Sequence, residues 1–228
     1  GVFSFLMVVV YIIGPDYLLQ SKASNWLVWL SSFTILTASI IAISKDDLKA
    51  RLAYSTISQL SYIILGAALA TTFALKGASF HIITHAAGKI TLFFCAGAIY
   101  VTAHVKKISE LGGLGFKTPM IFFAYTLGAL SIIGVPPLIG SWSKLFLVIG
   151  SLEADFLFVA VLLGISSLLN IYYLLQPVFI AFNKKNIKNI NITKAPLTVW
   201  PPVITGVGCL FLFFFSNYFL NIINGVVA

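Results

Sequence analysis

Seven apolar runs divide this chain, at 1–13, 26–43, 52–72, 78–103, 118–150, 156–182 and 197–220. Most come close to the roughly 20 residues that a helix needs to cross a bilayer. Inside lipid every backbone N–H and C=O must be paired within its own segment, which leaves helices as the element for runs of this length. Composition agrees. Of the 228 residues 60% are hydrophobic and only 9% charged, where a soluble domain carries about a quarter charged residues. The expected fold is an all-α polytopic membrane protein with about seven transmembrane helices.

The basic residues test that count. Lys45, Lys49 and Arg51 follow the second run, Lys106, Lys107 and Lys117 the fourth, and Lys184, Lys185, Lys188 and Lys194 the sixth. The alternate loops hold only Lys22 and Lys76. A miscounted span would scramble this alternation, which by the positive-inside rule sets the basic loops on the cytoplasmic side or its equivalent. The net charge of +8 is thereby absorbed by topology and does not point to nucleic acid. All six acids (Asp16, Asp46, Asp47, Glu110, Glu153 and Asp155) fall in loops or at span edges. Cys95 and Cys209 lie far apart in apolar runs, which suits small core residues better than a disulfide or metal framework. The first thirteen residues are membrane-like, with no charged leader and no small-residue cleavage site, so they do not read as a signal peptide. The expectation is one transmembrane domain over 1–228, a fragment of a longer chain whose N-terminal half is missing.

Two basic residues remain inside runs, Lys89 and Lys144. The segment SFHIITHAAGKITLFF (79–94) sets His81, His85 and Lys89 four residues apart. At 100° per residue they share one helix face, in a stripe about 12 Å long. Lys89 is twelfth in a 26-residue run, near mid-depth, where a charge costs at least about 2.5–3.5 kcal/mol. Such a stripe is expected to face the protein interior or a hydrated cavity, and a row of groups that gain and lose protons passes them on through intervening water. Thr84 adds a supporting hydroxyl. The competing reading is plain interhelical hydrogen bonding. Metal binding by His81 and His85 lacks a third ligand, and the helix lacks the glutamate of a zinc-protease helix.

The stretch GALSIIGVPPLIGSWSKLF (128–146) carries Pro136 and Pro137 between Gly134 and Gly140. Two missing backbone donors break the helix. A broken helix in a membrane is tolerated where it lines a cavity or is buried in protein, and it marks ion sites in transporters. Lys144 follows in the second half-helix, with Ser141 and Ser143 as polar support. The alternative is a simple kink with Lys144 at the interface.

Four ordered motifs carry a resemblance: KARLAYSTISQLSYIILG (49–66), FHIITHAAGKITLFFCAGAIY (80–100), ISELGGLG (108–115) and GALSIIGVPPLIGSWSK (128–144). The chain resembles the antiporter-like subunits shared by respiratory complex I and Mrp-type multisubunit cation/proton antiporters. The later motifs, with SSLLNIYYLLQPVF (166–179), look most similar to the D-type component of the Mrp antiporters. That family has fourteen spans in two inverted repeats, and this chain resembles the second half. The resemblance implies that Lys89 is the central proton-relay lysine, that His81 and His85 accompany it, and that Lys144 is the terminal charged residue of the broken helix. Ser61 departs from a usual glycine, Ser141 from a usual phenylalanine, and Ala86, Ala87 and Gly88 are smaller than in some relatives. The first repeat, with its membrane glutamate and lysine, is not in this sequence. The implied function is proton translocation in a cation/proton antiporter, with a complex I pumping subunit as the close rival and a non-transporting helical scaffold as the distant one. The chain reads as a transporter subunit rather than an enzyme, unless it forms part of an NADH:quinone oxidoreductase. No cofactor motif is found. The expected partners are other membrane subunits, protons and a monovalent cation, and the expected location is a bacterial plasma (inner) membrane.

Overall fold

The computed structural model describes residues 1–183, 193 and 195–227. Lys184, Lys185, Lys188 and Lys194 of the sixth loop lie outside them. The described residues form helices without a β-strand. They are α1 (Val2–Val8), extended by a wide π-turn at Val9–Ile13, then α2 (Pro15–Ser21), α3 (Asn25–Ser44), α4 (Leu48–Leu69), α5 (Thr72–Ala103), α6 (Leu114–Lys117), α7 (Pro119–Ile133), α8 (Gly140–Glu153), α9 (Leu157–Ala181), α10 (Pro196–Phe214) and α11 (Ser216–Val227). Five are long and apolar enough to span a membrane, and α1 with α2 reach that length and hydropathy only together, across an 80° bend at Gly14. The run at 118–150 is two half-helices, α7 and α8, separated by the proline loop. The molecule is an all-α polytopic membrane protein.

Three boundaries differ from the sequence reading. The loop expected around Lys76 is absent: α4 ends at Leu69, Ala70 turns with φ 56°, and α5 begins at Thr72. Thr71 caps α5 by accepting from Ala74 N, and nothing in TFALKG after it breaks a helix except Gly77. That glycine instead admits α8, since a Cβ there would stand 2.8 Å from Leu147 N. Arg51, expected in a loop, lies in the first turns of α4 and is 4% exposed. The run at 197–220 breaks at Phe215 into α10 and α11.

The 32-residue α5 is the hub and packs against α4, α7, α8 and α10. Any residue on its inner faces is therefore screened from lipid by other helices. At one end of the bundle the basic loops come together. Leu48 N donates to Lys106 O (3.0 Å) and Ile108 N to Asp46 O (2.7 Å). The Asp46 carboxylate accepts from Ser109 N (3.0 Å) and Ser109 Oγ (2.8 Å), and Gly115 packs on the Phe182 ring at the end of α9. Lys45, Lys49, Lys106 and Lys107 thus share one end. Lys22 lies at the other end, beside Glu153 and Asp155 on a cavity of about 370 Å³.

Candidate functional site

The stripe predicted on α5 forms, and its contacts are with α4 and α8. Lys89 is 5% exposed. Its ammonium donates to Ser55 Oγ (2.6 Å) and Leu52 O (3.3 Å), both on α4. Ser55 Oγ also lies 3.0 Å from the Tyr173 hydroxyl on α9, which is closer still, 2.5 Å, to Asn170 Oδ1. A phenol has one hydrogen to give: when it goes to Asn170 Oδ1, Ser55 accepts from Lys89 and donates its own hydrogen to the Tyr173 oxygen.

His81 is 2% exposed. Its Nδ1 shares a hydrogen bond with Ser143 Oγ on α8 (2.9 Å), and Ser143 Oγ also lies 3.1 Å from Gly140 O. When the serine hydrogen points to Gly140 O, His81 Nδ1–H is the donor and Nε2 carries the free lone pair. The His81 and His85 rings are 6.3 Å apart between centroids, too far for direct proton transfer and close enough for one bridging water. The other face of His81 stacks on Tyr62 (5.3 Å, 13°). Tyr62 in turn lies under the Lys144 ammonium, which is 5.4 Å from its ring centroid and donates to Ser167 Oγ on α9 (2.9 Å). Tyr62 thus touches both the first histidine of the stripe and Lys144.

Lys144 reaches this place because the chain breaks before it. Gly134 ends α7 with φ +91° and lies against the Lys144 methylenes; a Cβ there would stand 2.8 Å from Lys144 Cδ. Gly140 opens α8 pressed on the Ser131 carbonyl, a contact that any side chain would obstruct. Pro136 and Pro137 form the exposed outer turn of this loop. Of the supporting hydroxyls, Ser143 meets His81. Thr84 Oγ1 donates to His81 O within its own helix, and Ser141 Oγ to Leu138 O, so these two hold backbone rather than join the row.

Several side chains were not singled out from sequence. Ser55, Gln59 and Tyr62 on α4 and Ser166, Asn170 and Tyr173 on α9 are all buried and line the space between Lys89 and Lys144. The signal was available. Each trio falls at i, i+4, i+7, one helix face, in stretches noted only for their family resemblance. Among the described residues no hydrogen-bond partner meets Gln59 Nε2 and Oε1, Tyr62 OH, Ser166 Oγ, Asn170 Nδ2, His81 Nε2 or His85 Nε2. Buried polar atoms are paired with protein or ordered water in native structures. These unpaired atoms beside two lysines offer hydrogen bonds that bound water would satisfy.

Arg51 sits where this polar core approaches the basic end. Its guanidinium donates to Ile43 O (3.2 Å) and Lys45 O (2.9 Å) at the end of α3, and to Tyr173 O (3.3 Å) and the Gln176 amide oxygen on α9. Pro177 lies inside α9 and has no N–H for the carbonyl four residues earlier, which is Tyr173 O. Arg51 supplies that missing donor.

The comparisons with known proteins agree with this architecture. Residues 1–170 match the family model described as NADH:quinone oxidoreductase/Mrp antiporter, TM. NADH-quinone oxidoreductase subunit N of Desulforudis audaxviator is 42% identical over 157 residues, covering 68% of this chain and 31% of that protein. NADH-quinone oxidoreductase subunit L of Mycobacterium tuberculosis is 33% identical over 207 residues, covering 87% of this chain and 32% of that protein. The chain thus spans about a third of the length of these relatives. A chain of the Mrp complex from Dietzia sp. DQ12-45-1b superposes with a TM-score of 0.88 at 20% identity, over 100% of this chain and 50% of the other. One from respiratory complex I of Thermus thermophilus superposes with a TM-score of 0.80 at 21% identity, over 100% and 49%. The chain belongs to the NADH:quinone oxidoreductase/Mrp antiporter transmembrane family.

Proposed function

We propose that this chain is the proton-translocating part of a membrane subunit in a multisubunit monovalent cation/proton antiporter. The supporting observation is the stripe on the hub helix, with His81 and Lys89 buried and His85 half-buried, near Lys144 on the second half of a broken helix and beside polar atoms without a protein partner. Lys89 and Lys144 each gain and lose one proton, and His81 and His85 pass it between them through water. Coupling is electrostatic: a proton arriving at one basic group repels the next one onward, which in a poorly screened interior acts over several ångströms. No covalent bond other than N–H or O–H changes. Lys89 and Lys144 are mobile-charge sites and not half of ion pairs, because the six acids lie at the ends of the helices. The partners are other membrane subunits, protons and a monovalent cation, in a bacterial plasma membrane.

A second reading, a proton-pumping subunit of an NADH:quinone oxidoreductase, is favoured by the names of the relatives at 42% and 33% identity. It uses the same residues and differs in partners. Inverted vesicles containing the full-length protein in its complex, with a pH-sensitive dye, separate the two. Wild type and Lys89→Ala are compared on addition of Na⁺, K⁺ and NADH. A cation-driven signal lost in the variant supports the antiporter. A signal driven only by NADH and lost in the variant selects the second reading. A variant equal to wild type overturns both and returns the stripe to architecture, as would full tolerance of Lys89→Gln.

A further inference from the structure

We propose that a second proton route joins Lys89 to Lys144 along α4 and α9 without passing through His81 or His85. This rests on the function proposed above and adds to it the residues of a parallel rail. The route is read directly from contacts. Lys89 Nζ is 2.6 Å from Ser55 Oγ, and Ser55 Oγ is 3.0 Å from Tyr173 OH. Tyr173 OH bonds to Asn170 Oδ1. The Tyr62 hydroxyl faces Asn170, Ser166 and Ser167. Ser167 Oγ, 2.9 Å from Lys144 Nζ, completes it.

Two links have no direct bond, Tyr173 to Tyr62 and Tyr62 to Ser167. Asn170 Nδ2, Ser166 Oγ, both amide atoms of Gln59 and the Tyr62 hydroxyl are buried on α4 and α9 without a hydrogen-bond partner among the described residues. A bound water needs two to four such partners, and a bridging water transmits a hydrogen bond nearly as well as direct contact. Each hydroxyl and each water accepts one proton and releases another. The amides of Gln59 and Asn170 orient the waters and do not titrate. Over one passage Lys89 goes from ammonium to amine, Lys144 from amine to ammonium, and every relay group returns to its starting formula.

The two routes come close together near Tyr62, whose ring stacks on His81 and lies 5.4 Å from the Lys144 ammonium. From His81 a proton passes by Ser143, which shares the Nδ1 hydrogen bond and precedes Lys144 in α8, or by the Tyr62 hydroxyl, which belongs to the α4–α9 rail.

The test uses the full complex in vesicles, under whichever driving force gives a wild-type signal, with assembly verified for each variant. His81→Gln/His85→Gln removes the first route and is expected to keep a clear fraction of the wild-type rate. Adding Tyr62→Phe keeps the ring and removes the hydroxyl. It is expected to lower that residual rate by roughly 100-fold, the smaller end of what one positioned proton-transfer group supplies, to the level of Lys89→Ala. Ser167→Ala in the same background is a second variant and is expected to act alike. The rail is overturned if the histidine variant already falls to the Lys89→Ala level, or if neither Tyr62→Phe nor Ser167→Ala slows it. If Lys89→Ala itself keeps the wild-type rate, the underlying function fails and the rail falls with it, an outcome separable from the other two.

Discussion

Removing the Arg51 guanidinium is expected to destabilise the chain through one identifiable atom, the Tyr173 carbonyl. Arg51→Met retains most of the packing volume and leaves no buried charge, so what remains is a set of acceptors without donors. Ile43 O and Lys45 O are end-of-helix carbonyls near the basic end and regain water. Tyr173 O is buried and receives nothing from Pro177. A buried unpaired carbonyl costs about 1–3 kcal/mol, and the loss of the other charge-assisted bonds raises the total to about 2–4 kcal/mol. At about 2–4 °C per kcal/mol for 150–250 residues, the thermal transition falls by roughly 4–16 °C, and by less in a longer chain. Pro177→Ala restores an N–H four residues after Tyr173. Because replacing an internal proline stabilises helices generally, the informative quantity is the coupling in the double-mutant cycle. Pro177→Ala is expected to gain about 1–2 kcal/mol more in the Arg51→Met background than in wild type. Additivity within about 0.5 kcal/mol would refute the reasoning that Arg51 stands in for the proline's missing donor.

Two further expectations follow from the same contacts. Gly140→Ala drives a Cβ into the Ser131 carbonyl, whereas a Cβ at Gly97 meets open space; fluorescence-detected size exclusion is expected to show loss of folded protein for Gly140→Ala and none for Gly97→Ala, and equal yields would remove the close approach of α7 and α8. The Asp46 carboxyl is held below its ordinary pKa by the Ser109 hydroxyl, against an opposing desolvation, with help from the Ser109 amide and the Lys107 and Arg51 charges. A lowered folded pKa gives stability that is present above the unfolded value near 4 and lost as pH falls through the folded value, so Asp46→Asn is expected to melt slightly below wild type at pH 6, the gap closing by pH ~3; a gap that is constant with pH would refute the carboxylate's role.

The stripe on α5 was legible because helix periodicity is local: His81, His85 and Lys89 share a face whatever surrounds them. The break before Lys144 was legible for a similar reason, since Pro136 and Pro137 remove donors in any context. The basic loops were legible because membrane topology is written in Lys and Arg between spans. Lys76 and Arg51 were misassigned to loops by the same logic, which reads charge as solvent exposure. In the fold Lys76 extends a helix end and Arg51 is buried on carbonyls. A buried cation without a carboxylate leaves no sequence signature when its acceptors are backbone atoms of other helices.

The sequence by itself determined the helical membrane architecture, the basic face of α5 and the position of the broken helix, because each depends on spacing within one segment. Only the tertiary structure decided what those groups meet: Ser55 at Lys89, Ser143 at His81, Ser167 at Lys144, Tyr62 against both His81 and Lys144, and Arg51 completing the helix that Pro177 interrupts. These contacts join α4, α5, α8 and α9 across long sequence separations. They are fixed by which helix faces pack together, and no single segment encodes that choice.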